Sequence, residues 1–446
     1  MPSFAVSGVF VAVVTVVASA CAFLFAMMPV LPLAFLRLTA GCVPAAVMRV
    51  CTAWFDRVQE KWVGLVVLLL ECVLRLRLAY TIVSPATTAP SQLADVFAPP
   101  RPGKFKLVLL NHRSRIDWLV MFPFIARAGG LRTLRIVLKD GLKRIPVFGW
   151  SMQVFRYIFL SRDWANDEAT LRGLIAHYRE SGGATIMLFP EGTDLSASNI
   201  AKANAYAAEH GLPCFHHVLN PRTTGFVAMV EMIGAANIEE IVDVTMGYTD
   251  FVPGERPAEV AIVNGRMPKK VHILCTRHRM AEQTEPVQGE KPALGAVPPD
   301  DAGLRLWLSD RFAKKELLLS QFYANNPVGF EAHHVRSVYG EHCAVATYDE
   351  DVEVASHPGS TKFSRFVRDM GLWHGFLGVL LLWSMPVLYW VFCSGLRTLL
   401  VCGLLANLCG WVTRDKGGLD EWLFLPQQQR QRQRPKENRG PSKRGD

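Results

Sequence analysis

His112 and Asp117 stand five residues apart in Asn111-His112-Arg113-Ser114-Arg115-Ile116-Asp117-Trp118, directly after the apolar run Lys106 to Leu110. An imidazole held at one ring nitrogen by a carboxylate can use the other to take a proton from a hydroxyl group. On one continuous helix that separation sets the two side chains about 140° apart, too far round to meet. They can meet if His112 lies in the turn before a helix whose N-cap is Ser114, with Asp117 in its first turn. The spacing Ser114-x-x-Asp117 also resembles a capping box with Asp in the usual Glu/Gln place, which explains Asp117 without any catalysis. The octet alone leaves both readings open.

A second constellation, Leu188-Phe189-Pro190-Glu191-Gly192-Thr193, again closes a strand-like run. A carboxylate on a tight turn at the edge of a parallel sheet is where α/β proteins place ligand contacts, although Pro-Glu-Gly-Thr by itself is a common turn. Between the two constellations lie Lys139, Lys143, Arg144 and Phe159-Leu160-Ser161-Arg162. An Arg at a strand terminus suits a phosphate oxygen, while a solvated positive face is the simpler account of any single one of these cations. His272, Cys275 and His278 are spaced three apart, but in the β-branched run Val271-His272-Ile273-Leu274 that spacing sends neighbours in the set to opposite faces. No metal site is expected there.

These residues need a scaffold, and the texture from Lys104 onward supplies one. Lys106 to Leu110, Leu134 to Leu138, Tyr157 to Leu160, Ala184 to Phe189 and Val242 to Gly247 read as strands. Asp167 to Ser181, Ile200 to His210 and Leu304 to Tyr323 read as helices, the last with Leu304, Leu308, Phe312, Glu316 and Leu319 near one face. Alternation of this kind predicts an α/β fold, a mostly parallel sheet with flanking helices. The ends differ: Met1 to Leu36 and Gly371 to Leu396 contain no Asp, Glu, Lys or Arg. Runs of roughly 20 apolar residues suffice to span a bilayer, so transmembrane or membrane-embedded helices are expected at both termini. The expected organisation is therefore a membrane span and membrane-associated helix over 1–83, a Pro-rich linker over 84–103 and the catalytic α/β domain over 104–280. A second linker over 281–303, a helical extension over 304–370, the C-terminal span or spans over 371–412 and a basic tail over 413–446 complete it. Arg37, Arg49 and Arg57 follow the first span and place the domain on the cytosolic side.

The 446 residues are half hydrophobic and one-fifth charged, which excludes disordered, collagen-like and small disulfide-rich classes. The formal charge of +9 is localised. Residues 101–162 carry thirteen Lys or Arg against Asp117 and Asp140, and the last twenty residues carry a net +5. Anionic lipid head groups and nucleic acid would both match that charge, and the apolar ends favour lipid. Nucleic acid is not an expected partner.

Taken together, Asn-His-x-x-x-x-Asp after a strand, Lys139…Pro146-x-x-Gly149-Trp150, Phe-x-x-Arg162, Phe-Pro-Glu-Gly-Thr-Asp194 and Leu219-x-Pro-Arg-Thr-Thr-Gly-Phe226 occur in that order. The chain resembles the glycerolipid acyltransferases, specifically the 1-acyl-sn-glycerol-3-phosphate acyltransferases, and within them the lysocardiolipin acyltransferase branch. The resemblance covers roughly Lys106 to Tyr323. It implies an acyl-CoA donor as co-substrate, a lysophospholipid acceptor, no metal or prosthetic group, and His112 with Asp117 as a general base pair. It further implies an endoplasmic reticulum membrane protein with its catalytic domain facing the cytosol. Backbone N–H groups around Ser114 are candidates for holding the oxyanion, and Asn111, Lys139, Arg162, Glu191, Gly192, Thr193 and Lys202 for holding substrate. One position departs from the pattern: where the family usually has Arg after Glu-Gly-Thr, this chain has Asp194, so Lys139, Arg162 or Lys202 has to replace that cation.

Overall fold

The computed structural model describes residues 4–41, 43–85, 91–145, 148–161, 163–251, 267–281, 294–324, 329–357, 359–371, 377–378, 395–413 and 417–424. Its centre is a sheet of nine strands: β1 (Arg77–Pro85), β2 (Phe105–Leu110), β3 (Leu134–Lys139), β4 (Ile158–Leu160), β5 (Ala184–Leu188), β6 (Ile238–Tyr248), β7 (Lys270–Met280), β8 (Gly295–Val297) and β9 (Cys343–Asp349). The order across the sheet is β4-β3-β5-β2-β6-β7-β1-β9, with β8 added beside β7. Pairing is parallel except at β6–β7 and β1–β9. The mostly parallel α/β class expected from the sequence is thus present.

β2 shows why. All six of its residues are buried, as are all five of β5, so neither strand can have a solvated face. Side chains alternate between two apolar layers because successive residues of a strand point to opposite faces. Val108, Leu110 and Met187 pack with Trp62 and Val63 of α2 (Ala45–Leu68) and with Val120 and Phe124 of α4 (Asp117–Arg127). Leu107, Leu109 and Ile186 face the other way, toward Leu174 of α6 (Trp164–Glu180), Val230 of α8 (Thr223–Ile233) and Phe312 of α9 (Asp301–Ala324). The remaining helices in this part of the chain are α3 (Leu93–Phe97), α5 (Phe148–Val154) and α7 (Ala197–Glu209). After β2 the chain moves to one side of that strand to form β3, and later returns on its other side as β6. A reversal of this kind opens a crevice at the carboxyl end of β2, the usual ligand position in open α/β sheets.

Several boundaries differ from the sequence expectation. β1 and β9 come from the segments flanking 104–280 yet belong to the same sheet, and α3 with its Gln92/Asp95 capping box interrupts the linker expected over 84–103. Trp62 to Leu70, an apolar run too short to span that reads equally as a membrane-surface or a core helix, is a core helix: its residues are buried against the sheet at the end of α2 and in a π-helical turn at Leu69–Val73. After α9 come α10 (Ala332–Tyr339), α11 (Glu350–Ser356), α12 (Lys362–Met370), α13 (Gly395–Thr413) and α14 (Leu419–Phe424). Lys143, one of the candidate solvated cations, instead donates to Glu421 at 2.9 Å and to the Gly417 carbonyl at 3.0 Å, fastening α14 to the domain.

Among the described residues no helix is long and apolar enough to cross a membrane, so the expected spans are not part of the structure described. Most of the C-terminal span, 372–376 and 379–394, and the basic tail over 425–446 lie outside those residues. The N-terminal helix α1 (Phe4–Thr39) contains Pro29 and Pro32 and buries Ala18, Ala22, Ala26, Val30 and Leu33. Its other face leaves Val13, Val16, Met28, Leu31, Phe35 and Leu38 exposed. α13 packs against α1 and exposes Leu400, Leu404, Leu408 and Trp411.

Candidate active site

The site is built where β2 runs out. Asn111 extends the ladder with its side chain: its Nδ2 donates to the Met246 carbonyl at 3.1 Å and its Oδ1 accepts from the Met246 N–H at 2.7 Å. Both ends of this fully buried carboxamide are therefore spent on β6. Asn111 holds the strand end in place and is not available to substrate. The next residue, His112, is pinned by its backbone to the segment after β5, its N–H donating to Glu191 Oε1 (2.7 Å) and its carbonyl accepting from the Leu195 N–H (2.8 Å). Its ring lies 4.5 Å from that of Phe189.

Asp117 opens α4, with Ile116 rather than Ser114 as the N-cap. The two readings of the octet hold together. Asp117 Oδ2 accepts from Ser114 N–H at 2.9 Å, as a capping arrangement requires, and lies 3.0 Å from His112 Nδ1. Oδ1 accepts from Ser114 Oγ at 2.8 Å and from the Tyr248 hydroxyl at 2.6 Å. The carboxylate is completely buried, whereas the imidazole is about 20% exposed and keeps Nε2 for an incoming group. Burial pulls the imidazole pKa down, but the hydrogen bond and charge of Asp117, followed by Glu191 and Asp194, outweigh it and leave His112 above its ordinary value. Ser114 N–H is engaged by Asp117 and Ile116 N–H by Ser114 Oγ (3.4 Å), so these two of the expected oxyanion donors are already occupied.

Glu191 is a second buried carboxylate with a different task. One oxygen holds His112 N–H and the other accepts from Leu219 N–H at 3.0 Å, joining the two segments that flank the crevice. Burial lifts its pKa to about 7, against the pull of those N–H groups and His112. Both oxygens are engaged by backbone N–H groups, a clamp where the sequence points to a substrate contact. Gly192 makes the turn possible: its φ is +71°, and a Cβ there would come within 3.3 Å of Arg222 Cδ. Arg222 N–H donates to the Pro190 carbonyl at 2.8 Å, so the Arg222 stem rests on this turn. Thr193 Oγ1 accepts from Asn199 Nδ2 (3.0 Å), and Asp194 lies 3.8 Å from Arg115.

The structure brings His112, Asp117, Asn111, Glu191, Gly192 and Thr193 together, while two of the expected cations are exposed. Lys139 is exposed at the end of β3, two strands from β2, and Lys202 is exposed on α7. Arg162 lies outside the described residues, as does Pro146 of the Lys139…Gly149 motif. His272 and His278 are buried and donate or accept locally with Thr81 (3.1 Å) and Thr276 (2.9 Å); burial holds both pKa values down to about 3. Among the described residues Glu331, His333 and His334 group their ligand atoms within 4.8 Å, but all three lie at the surface start of α10. Tyr248 is the site residue that sequence reasoning missed, because nothing in its spacing links it to an octet 131 positions away.

The sequence pattern of the Acyltransferase family matches residues 100–249, a stretch that holds every contact of His112 and Asp117 described above. The chain is 32% identical over 290 residues to lysocardiolipin acyltransferase 1 of Danio rerio, covering 65% of this chain and 66% of that protein. It is 30% identical over 306 residues to lysocardiolipin acyltransferase 1 of Mus musculus, covering 67% and 69% respectively. A probable 1-acyl-sn-glycerol-3-phosphate acyltransferase 5 of Arabidopsis thaliana matches at 32% over 220 residues, 49% of this chain and 54% of that one. Among solved structures, the 1-acyl-sn-glycerophosphate (LPA) acyltransferase PlsC from Thermotoga maritima aligns at 15% identity and a TM-score of 0.33, covering 67% of this chain and 92% of that one. The chain belongs to the acyltransferase family. It spans about two thirds of the length of the lysocardiolipin acyltransferases it matches.

The clamp assigned to Glu191 has a measurable signature. In Glu191→Gln the amide nitrogen must face one of two buried N–H donors, which costs about 1–3 kcal/mol. A lower Tm together with a kcat reduced about tenfold or more is expected, at an acceptor KM close to wild type. A raised acceptor KM with unchanged Tm would instead make Glu191 a substrate ligand.

Proposed function

We propose that this chain moves a fatty acyl group from acyl-CoA to the free glycerol hydroxyl of 1-acyl-sn-glycerol-3-phosphate, giving phosphatidic acid and free CoA. The observation that carries this reading is the His112 Nδ1–Asp117 Oδ2 pair at 3.0 Å, with a buried carboxylate and a partly open imidazole at the carboxyl end of β2. Asp117 fixes the tautomer with the proton on Nδ1, so Nε2 is the base. It takes the hydroxyl proton as that oxygen bonds to the thioester carbonyl carbon. The C–S bond then breaks, and the proton returns from Nε2 to the departing thiolate. General base assistance of this type contributes roughly 10²- to 10⁴-fold. The step uses no protein nucleophile, so no acyl-enzyme forms, and it draws on no metal or prosthetic group.

The acceptor phosphate requires a cation near this pair. Lys139, Arg162 and Lys202 were the sequence candidates. What supports Arg222 instead is its stem against Gly192, its place at the N-cap of α8, and the helix N-terminus it stands on. Lysocardiolipin is the second acceptor to consider, favoured by the longer match to proteins named for it. A non-catalytic lipid binder would have no use for a desolvated Asp117 aimed at a histidine. Purified protein is expected to release CoA thiol only when a lysophospholipid is added, and His112→Ala to lower that turnover by at least 10²-fold without loss of fold. Arg222→Gln should raise the acceptor KM several-fold and leave that of acyl-CoA unchanged. Near-normal turnover by His112→Ala would sink the reaction, and a panel of lysolipids decides the acceptor.

The apolar faces of α1 and α13 support a membrane setting; the endoplasmic reticulum, with the crevice toward the cytosol, is the membrane we propose. They adjoin one another and would otherwise present a continuous apolar surface to water. A bilayer surface also brings the protein to both acyl-chain substrates. On alkaline carbonate washing of membranes the protein should remain in the pellet. Quantitative release would show that these faces are covered by something other than lipid.

A further inference from the structure

We propose that Tyr248 is a positioning residue for the general base: its hydroxyl orients Asp117 and limits how strongly that carboxylate holds a proton on His112. The inference rests on the acyl-transfer reading above and concerns a residue outside both constellations. Asp117 is completely buried and receives hydrogen bonds on both oxygens. Three of its contacts are local, from Ser114 and His112 a few residues earlier. The fourth, the Tyr248 hydroxyl at 2.6 Å, comes from across the sheet at the end of β6. The local turn holds both oxygens, Oδ1 through Ser114 Oγ and Oδ2 through Ser114 N–H and His112. The contact from β6 adds a second donor on Oδ1 from outside that turn, tying the carboxylate to the sheet with Oδ2 facing Nδ1.

Tyr248 is itself held. Its backbone N–H donates to the Tyr323 hydroxyl at 2.9 Å, near the end of α9, and its ring meets Phe251 edge-on at 6.4 Å. Tyr323 in turn lies under the Arg113 guanidinium (4.3 Å) and stacks with His217 (5.6 Å). Burial and the Asp117 charge push the Tyr248 pKa well above its ordinary value, so the group stays a donor over the working range. α9 lies beyond the residues matched by the family pattern, and this contact gives it a share in the site.

The electrostatic consequence has a definite sign. His112 faces Asp117 from α4 and Glu191 and Asp194 from the segment after β5, with Arg115 beside Asp194. Asp117 faces Ser114 and Tyr248; Tyr323, Arg113 and His217 lie behind Tyr248. A short O–H···O⁻ bond from Tyr248 spreads the carboxylate charge and weakens its hold on the imidazolium. Removing that donor therefore raises the His112 pKa and leaves less neutral base at a given pH.

The test is the pH dependence of kcat/KM for the full-length protein in lipid vesicles, wild type against Tyr248→Phe, with 1-acyl-sn-glycerol-3-phosphate and palmitoyl-CoA. The acidic limb should move to higher pH by about half a unit or more, kcat should fall roughly tenfold, and both KM values should stay within about twofold. Ser114→Ala, which removes the other Oδ1 donor, should move the limb the same way, and a fluorinated tyrosine at position 248, a stronger donor, should move it to lower pH and carries the test if Tyr248→Phe does not fold. A limb unmoved in the folded variants, whatever happens to kcat and Tm, overturns the inference and leaves Tyr248 a packing residue. Wild-type protein that releases no CoA with any lysolipid is a different result, and it is the acyl-transfer reading that falls.

Discussion

A carboxylate taken out of water is the constraint on which this site depends. Asp117 has no exposed surface, and an ionised carboxyl group in that position is tolerable only if donors surround it. The fold supplies them from two directions: the turn after β2 gives Ser114 and His112, and the far end of β6 gives Tyr248. Each of these requires the others to be in register. Asn111 secures β2 to β6 through its side chain, so the octet and Tyr248 reach Asp117 from fixed positions. The central sheet is thus the jig that holds one hydrogen-bonded pair, His112 and Asp117.

Glu191 shows the same physics turned to another purpose. It too is buried, but its oxygens hold backbone N–H groups at His112 and Leu219, and burial lifts its pKa to about 7 against the pull of those groups. One carboxylate tunes the base and the other ties together the loops that carry it. On the proposed reading neither touches substrate, which meets Nε2 of His112 and the cations around the Gly192 turn. The division explains how Asp194 can be tolerated. Its charge is met by Arg115, while the stem of Arg222 occupies the space beside Gly192.

How much of this was legible in the chain follows from range. The parallel sheet was readable because β2 and β5 are short apolar runs buried on both faces, and the His112/Asp117 pair because a strand end, a turn and a helix start are local events. The flanking strands β1 and β9 were not, since Arg77–Pro85 and Cys343–Asp349 acquire their strand character by pairing with each other and with β7. Glu191 was recognised as important but given the wrong partner: a one-dimensional pattern shows a carboxylate on a turn, not that Leu219 N–H lies 3.0 Å from it. Asn111 was misassigned for the same reason. Trp62 to Leu70 could not be settled between a membrane-surface and a core helix, because the apolar face that meets the sheet is indistinguishable in sequence from one that meets lipid.

The central claim is that Asp117 makes His112 a stronger base than an ordinary histidine, and the pH–rate profile of Asp117→Asn beside wild type addresses it directly. Asp117 raises the folded-state pKa of His112, so the wild-type acidic limb of kcat/KM should lie above the ordinary histidine value of about 6.5. Neutralising Asp117 removes the hydrogen bond and charge that favour the imidazolium. The limb should then move to lower pH while kcat drops by orders of magnitude, as the tautomer is no longer fixed. A wild-type limb at or below 6.5, or one that stays in place in Asp117→Asn, would contradict the account.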